Sequence, residues 1–191
     1  KIEFSKSIVL RNGLDELFFE NNKYNKKIKN SICYFGQIIP IKNIEDPINV
    51  ISKLSSKVNF KIAGYGDINY ENKLKKLVNK NNLNDQISFI GPLYGTDRIE
   101  LYNKCDIFIL PSLNENFGIV VLEALSRGCK VITTTGTPWK DVKLKNLYIY
   151  KANNLSKLEE IIEMLIKSDT TEENSEEMEQ YRWPSIVNEL V

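Results

Sequence analysis

CDIFILPSLNENFGIVVLEALSRGCKVITTT, residues 105–135, reads as one strand–helix–strand unit. Residues 106–110 are a short apolar run of buried-strand type, 111–116 a polar loop opened by proline, and 117–127 a helix-length apolar segment stopped by Gly128. A second buried strand is predicted over 130–134. The helix carries Phe117, Ile119, Val120, Val121, Leu122, Ala124 and Leu125 around its circumference and leaves no polar stripe, so cover on several sides is expected. Glu123 is the one charge inside that run.

A carboxylate in such surroundings is costly unless something pairs with it. Two partners fit the pattern. Arg127 lies one helical turn on and on the same face, which mildly stabilises any helix. A ligand's hydroxyl pair would instead donate two hydrogen bonds to an acceptor-only group. Glu115 stands before the helix, roughly 12 Å from Glu123 at about 1.5 Å of rise per residue. Between the two acids, Asn116, Phe117, Gly118 and Ile119 open the helix, where free backbone amides and the dipole favour an anion. Gly118 lets a phosphate approach the backbone, and Asn116 reads equally well as a helix N-cap.

Glu115 and Glu123, with Asn-Phe-Gly between them and FILPS ahead, resemble the Glu-x7-Glu signature of the family 4 retaining glycosyltransferases (glycosyl transferases group 1, GT-B fold). The resemblance extends over essentially the whole chain and is to the C-terminal, nucleotide-sugar-binding half of those two-domain enzymes. It implies that Glu115 is catalytic, contacting the transferred sugar and stabilising developing positive charge, and that Glu123 binds the ribose hydroxyls. It further implies that Lys42, Asn116 and the amides of Phe117, Gly118 and Ile119 hold the departing diphosphate.

Other segments carry the same resemblance. GQIIPIKN, residues 36–43, resembles the family's GRxxxxKG loop, with Lys42 at the lysine position and Gln37 where arginine is expected. Glutamine donates hydrogen bonds but brings no charge and no bidentate fork. On the residues alone, Lys42 reads as a surface lysine and Gly64-Tyr65-Gly66 as a tight turn. The resemblance aligns that turn with the family's VGxG and places Leu93, after the FIG of 89–91, against the nucleobase. VLRNGLD, residues 9–15, resembles a VxxNGxD segment beyond the interdomain crossing, and YRWPSIVNEL resembles the terminal YxW helix. Gly136-Thr137-Pro138-Trp139 replaces a Gly-x-Pro-Glu loop.

Length and composition bound the rest. The 191 residues suffice for one domain, read as a linker-proximal strand and loop (1–30), a core (31–167) and an acidic link with a final helix (168–191). With 26 basic and 25 acidic residues the net charge is +1, which gives no field for nucleic acid. Histidine is absent, which excludes His-based triads and His general bases within these residues. Cys33, Cys105 and Cys129 lack CxxC spacing and fall in or beside apolar strands, as core thiols of a reducing compartment do. No signal peptide, membrane-length apolar run or lipidation motif is legible.

Outward from 105–135, strands are predicted at 7–10, 31–36, 58–64, 86–90 and 147–150. Helices are predicted from an Asp46 N-cap to 56, over 69–81, from a Thr96 N-cap to 104, over 155–167 and over 185–191. Residues 21–29 read as an exposed loop, Thr170 and Glu173 as a capping box, and Trp183-Pro184 as a chain break. Alternation of buried-type strands with helices implies an α/β, Rossmann-like, doubly wound parallel sheet. Ligands of such sheets bind outside the carboxyl ends of the strands, where Gln37, Lys42, Gly64, Leu93, Glu115 and Asn116 all fall.

The expectation is therefore the donor-binding half of a retaining hexosyl- or related glycosyltransferase in polysaccharide or glycolipid synthesis. Its partners are a nucleotide-sugar donor and an N-terminal acceptor domain outside this chain, with no nucleic acid. Membrane association would come only through that other half, and placement is cytoplasmic, at the inner membrane face if anywhere on a membrane. No cofactor is expected, and the lack of Asp-x-Asp disfavours a metal-bridged donor. The fragment alone is expected to bind without transferring. A nucleotide-sugar epimerase or phosphorylase on the same half-fold and a binding module with a decayed site are the alternatives. A dehydrogenase is disfavoured because the first strand lacks G-x-G-x-x-G.

Overall fold

A computed structural model describes residues 12–19, 27–168 and 175–188. Six parallel strands form one sheet in the order β3-β2-β1-β4-β5-β6: β1 Ile28–Phe35, β2 Asn59–Ala63, β3 Ile87–Gly91, β4 Cys105–Leu110, β5 Lys130–Thr134 and β6 Leu147–Tyr150. Every residue of β4 and β5 is buried, whereas β3, at one edge, alternates buried and exposed. The centre of the sheet is thus where the sequence is continuously apolar.

Parallel neighbours require crossover helices. These are α1 Glu45–Ile51, α2 Ile68–Lys80, α3 Thr96–Lys104 and α4 Ile119–Ser126, with α5 Leu155–Lys167 after the last strand. Strand order runs outward from β1 to β3, returns to β4 and runs outward the other way to β6. With right-handed crossovers, the helices before and after that return lie on opposite faces. The contacts agree: α1 packs on α2 and α5, while α3 packs on β1 and β4, and α4 on β4, β5 and α6 (Ser175–Met178). The reversal lies between β1 and β4, so their carboxyl ends diverge there and leave a crevice.

Several expected boundaries move, each for a local reason. The helix expected from Phe117 begins at Ile119, because Gly118 is left-handed (φ 72°) and the Phe117 carbonyl accepts from Trp139 Nε1 at 2.7 Å. Asp46 is not a cap. It is the second residue of α1, and its buried carboxylate accepts from Tyr150 OH (3.1 Å) and the Asn153 amide (2.9 Å). That helix ends at Ile51, not at 56. Thr96 likewise caps nothing, since Gly95 occupies the N-cap of α3. β1 starts at Ile28, inside the expected loop, because Ile28 pairs with Cys105. Trp183-Pro184 opens the last helix, α7 Trp183–Asn188, where proline's missing N–H costs nothing. The strand expected at 7–10 and the capping box at Thr170 and Glu173 lie outside the described residues.

The three cysteines are free and buried, and burial pushes each thiol above its ordinary range. Such thiols are unreactive core groups. Among the described residues no helix is long and apolar enough to cross a membrane.

Candidate functional site

The crevice between β1 and β4 is built from short segments that leave the strand ends. After β1, residues Pro40–Lys42 make one 3-10 turn, closed by Asn43 in the left-handed conformation (φ 50°). After β4, the loop 111–116 is tied to that turn by the Leu113 amide, which donates to the Ile41 carbonyl at 2.8 Å. Thr134 Oγ1 donates to the Ser112 carbonyl and anchors the same loop to β5. Lys42 and Glu115, distant in sequence, are thereby brought face to face, Nζ to Oε2 at 2.5 Å. Ser112 Oγ adds a hydrogen bond to the same oxygen at 3.3 Å.

A cavity of about 320 Å³ opens beside this pair, lined by Lys42, Glu115, Asn116, Phe117, Gly118 and Ile119 together with Asn12, Phe35 and Gly36. Six of the nine residues expected at the site thus meet in one wall. Gly118 is required there: a Cβ would sit 3.1 Å from Glu115 Cγ and 3.2 Å from Leu110 Cδ2, on a left-handed backbone. Trp139 is buried, packs against Phe117 with the rings tilted at 59° and their centroids 5.2 Å apart, and donates to its carbonyl. The tryptophan of the Gly-Thr-Pro-Trp loop therefore fixes the entrance to α4.

Gln37 and Leu93 line a neighbouring cavity of about 360 Å³, with Gly64, Tyr65, Tyr94 and Arg98. Phe35 and Gly36 line both cavities. Gly64 sits where the ends of β1 and β2 come closest, and a Cβ there would lie 1.8 Å from the Gly36 carbonyl oxygen.

Glu123 lines neither cavity. Its side chain is 4% exposed, and its partners are not Arg127: Oε1 meets Arg98 Nη1 at 3.2 Å, and Oε2 accepts from Tyr102 OH at 3.0 Å. Arg127 is engaged elsewhere, Nε donating to Asn103 Oδ1 (2.8 Å) and Nη1 to the Phe18 carbonyl (3.3 Å). Arg98 and Tyr102, the partners of Glu123, are residues that motif reading passed over. A signal existed, because they lie four apart on one face of α3, and an arginine in the first turn of a helix opposes the dipole.

Burial pushes the Glu123 carboxyl above its ordinary range, against the opposing pull of Arg98 and Tyr102. A carboxyl raised on folding favours the folded state while protonated, and that contribution is lost as pH rises through the raised value. Glu123→Gln removes this loss. The variant is expected to gain stability relative to wild type on going from pH 4 to pH 7, read from urea midpoints. An unchanged difference between the two pH values would contradict it.

The family model described as Glycosyl transferases group 1 matches residues 15–182. An uncharacterized glycosyltransferase of Methanocaldococcus jannaschii is 27% identical over 191 aligned positions, covering 96% of this chain and 52% of that protein. The capsular polysaccharide biosynthesis glycosyltransferase CapM of Staphylococcus aureus is 28% identical, covering 90% of this chain and 45% of CapM. The chain thus spans about half the length of these relatives. Anabaena HepE, solved in complex with UDP-glucose, superposes with a TM-score of 0.82 at 18% identity, covering 96% of this chain and 56% of HepE. At that identity the likeness establishes the fold.

Proposed function

The chain belongs to the glycosyl transferases group 1 family, and from that premise we propose that it is the donor-binding half of a two-domain retaining glycosyltransferase. The substrate in this reading is a nucleoside diphosphate hexose or related sugar, and the product a polysaccharide or glycolipid. The observation that carries the reading is the meeting of Lys42, Glu115 and the start of α4 in one cavity at the strand reversal. The capsular role in the name of CapM and the UDP-glucose bound by HepE point the same way.

Donor binding exchanges an ion pair for ligand contacts. The diphosphate takes the Lys42 ammonium and the first amides of α4, while the sugar takes Glu115. As the glycosidic bond lengthens, negative charge grows on the leaving diphosphate and positive charge on the sugar, and each group faces the sign it stabilises. A carboxylate has about four lone-pair sites. In this reading Glu123 has lone pairs left for ribose hydroxyls beyond its contacts with Arg98 and Tyr102, and donor binding has to open the way to it, since its 4%-exposed side chain lines neither cavity. The acceptor and its groups are assigned to an N-terminal domain outside this chain, and any membrane contact at the cytoplasmic face with them. These residues alone then bind donor without robust transfer.

Gln37 favours a second reading. An uncharged side chain exposed at the phosphate-loop position suits a nucleotide-binding module that has lost transfer.

Calorimetry separates these from no site at all. At least one of UDP, GDP and ADP is expected to bind. That nucleotide is expected to bind about tenfold tighter than its 2′,3′-dideoxy analogue, the worth of roughly one charge-assisted hydrogen bond, and Glu123→Ala is expected to erase the difference. Failure of all three nucleotides to bind would sink the donor-site reading. Transfer by the assembled two-domain enzyme decides between enzyme and module.

A further inference from the structure

Among the described residues, Arg98 is the only charged side chain lining the cavity that holds Gln37 and Leu93. It reaches there from the third position of α3, where a cation works against the helix dipole, so its placement answers to something other than helix stability. Its guanidinium is clamped between the rings of Phe18 and Phe35, at 5.1 and 5.5 Å from their centroids. Glu123 fixes one edge through Nη1. The side chain is nevertheless 30% exposed, against 4% for Glu123, and its Nε is shut from water with no hydrogen-bond partner. A planar donor fork is thus held in place with its charge balanced by Glu123, and since Nε is closed off, only the outer Nη groups remain to meet a ligand.

That balance decides what it binds. A guanidinium already paired with a buried carboxylate offers little net charge to a phosphate, but it still offers donors to a neutral acceptor. Tyr65 and Tyr94, 63% and 71% exposed, line the same cavity and offer faces for a planar ring.

We infer that Arg98 is a specificity-determining residue that reads the donor's nucleobase, selecting bases with a carbonyl edge, uracil or guanine, over adenine. Uracil and guanine present carbonyl oxygens to a donor-only group, whereas adenine carries an amino donor at the corresponding position. Glu123 acts as the counter-ion that sets the fork. The inference rests on the donor-site reading above and deepens it.

The test is calorimetry of UDP, GDP and ADP on wild type, Arg98→Met and Arg98→Lys, with melting temperatures of all three proteins. Wild type is expected to bind UDP or GDP at least about tenfold tighter than ADP, the worth of one or two hydrogen bonds to a charged donor. Arg98→Met, which keeps an apolar stem between the two phenylalanines, is expected to bring that nucleotide within about twofold of ADP. Arg98→Lys keeps a charge beside Glu123 without the fork; it is expected to melt as wild type does and to lose the preference too, and it carries the comparison should the methionine variant not fold. A wild-type preference for ADP, an equal loss for all three nucleotides, or an undiminished preference in both variants would overturn the inference while leaving the donor site standing. Binding of no nucleotide by wild type would remove both, and the dideoxy comparison reports on the donor site independently of the base.

Discussion

Lys42→Ala is expected to weaken UDP binding about a hundredfold and to leave uridine binding within about twofold of wild type. Two effects add. The diphosphate loses a charge-assisted contact worth about 1.5–3 kcal/mol, and Glu115, relieved of its partner at 2.5 Å, becomes an unbalanced carboxylate facing the same phosphates. At about 1.4 kcal/mol per decade, the first effect alone accounts for roughly tenfold to a hundredfold. Glu115→Gln should act with the opposite sign. It frees Lys42 and removes the repulsion, so bare UDP binds several-fold tighter, while sugar transfer by the two-domain enzyme falls. Both are read by calorimetry, and a Glu115→Gln variant that binds UDP more weakly than wild type would contradict this account of the pair.

Gly64→Val is expected to cost on the order of 4 kcal/mol or more, enough to leave a domain of ordinary stability largely unfolded. Its Cβ would fall 1.8 Å from the Gly36 carbonyl oxygen, and a backbone atom cannot swing aside as a side-chain tip can. The residue also holds φ at +136°, which valine resists. Gly91→Ala is the control: its φ is +74°, but nothing lies within 4 Å of a Cβ there, so roughly 1–2 kcal/mol of left-handed strain is all that is expected. Urea denaturation compares the two. Equal losses would mean that strain, and not the close approach of β1 and β2, makes Gly64 necessary.

Periodicity and strand type made the layered sheet legible, because a central parallel strand must be apolar on both faces and an edge strand need not be. β4, β5 and α5 were readable almost to the residue. Caps were less legible, for a reason visible at Asp46. A capping carboxylate and one turned inward to meet Tyr150 and Asn153 look alike until the partner, a hundred residues on, is in place. The site divides in the same way. The resemblance singled out loop residues that follow strand ends, and topology sends every such loop to one edge, so six of them line one cavity. Glu123 showed as a charge needing company, but two candidates, Arg127 and a ligand, obscured a third, Arg98, that only the packing of α3 on β1 and β4 brings alongside. Trp139 was visible as a departure from a loop pattern. Its grip on the Phe117 carbonyl was not, since nothing in the spacing says that the loop after β5 folds back over the start of α4.

The two extremities of the described chain clasp one another. The Leu14 amide donates to the Tyr181 carbonyl at 2.8 Å, Arg182 lies 4.3 Å over the Phe19 ring, and Tyr181 backs Trp139 with centroids 6.3 Å apart. A truncation chosen by the sheet alone, stopping after α5, would preserve every strand yet remove the buttress behind the tryptophan that props the cavity's rim. What looks like a dispensable tail is, mechanically, the far end of a lever whose near end is the turn that opens α4.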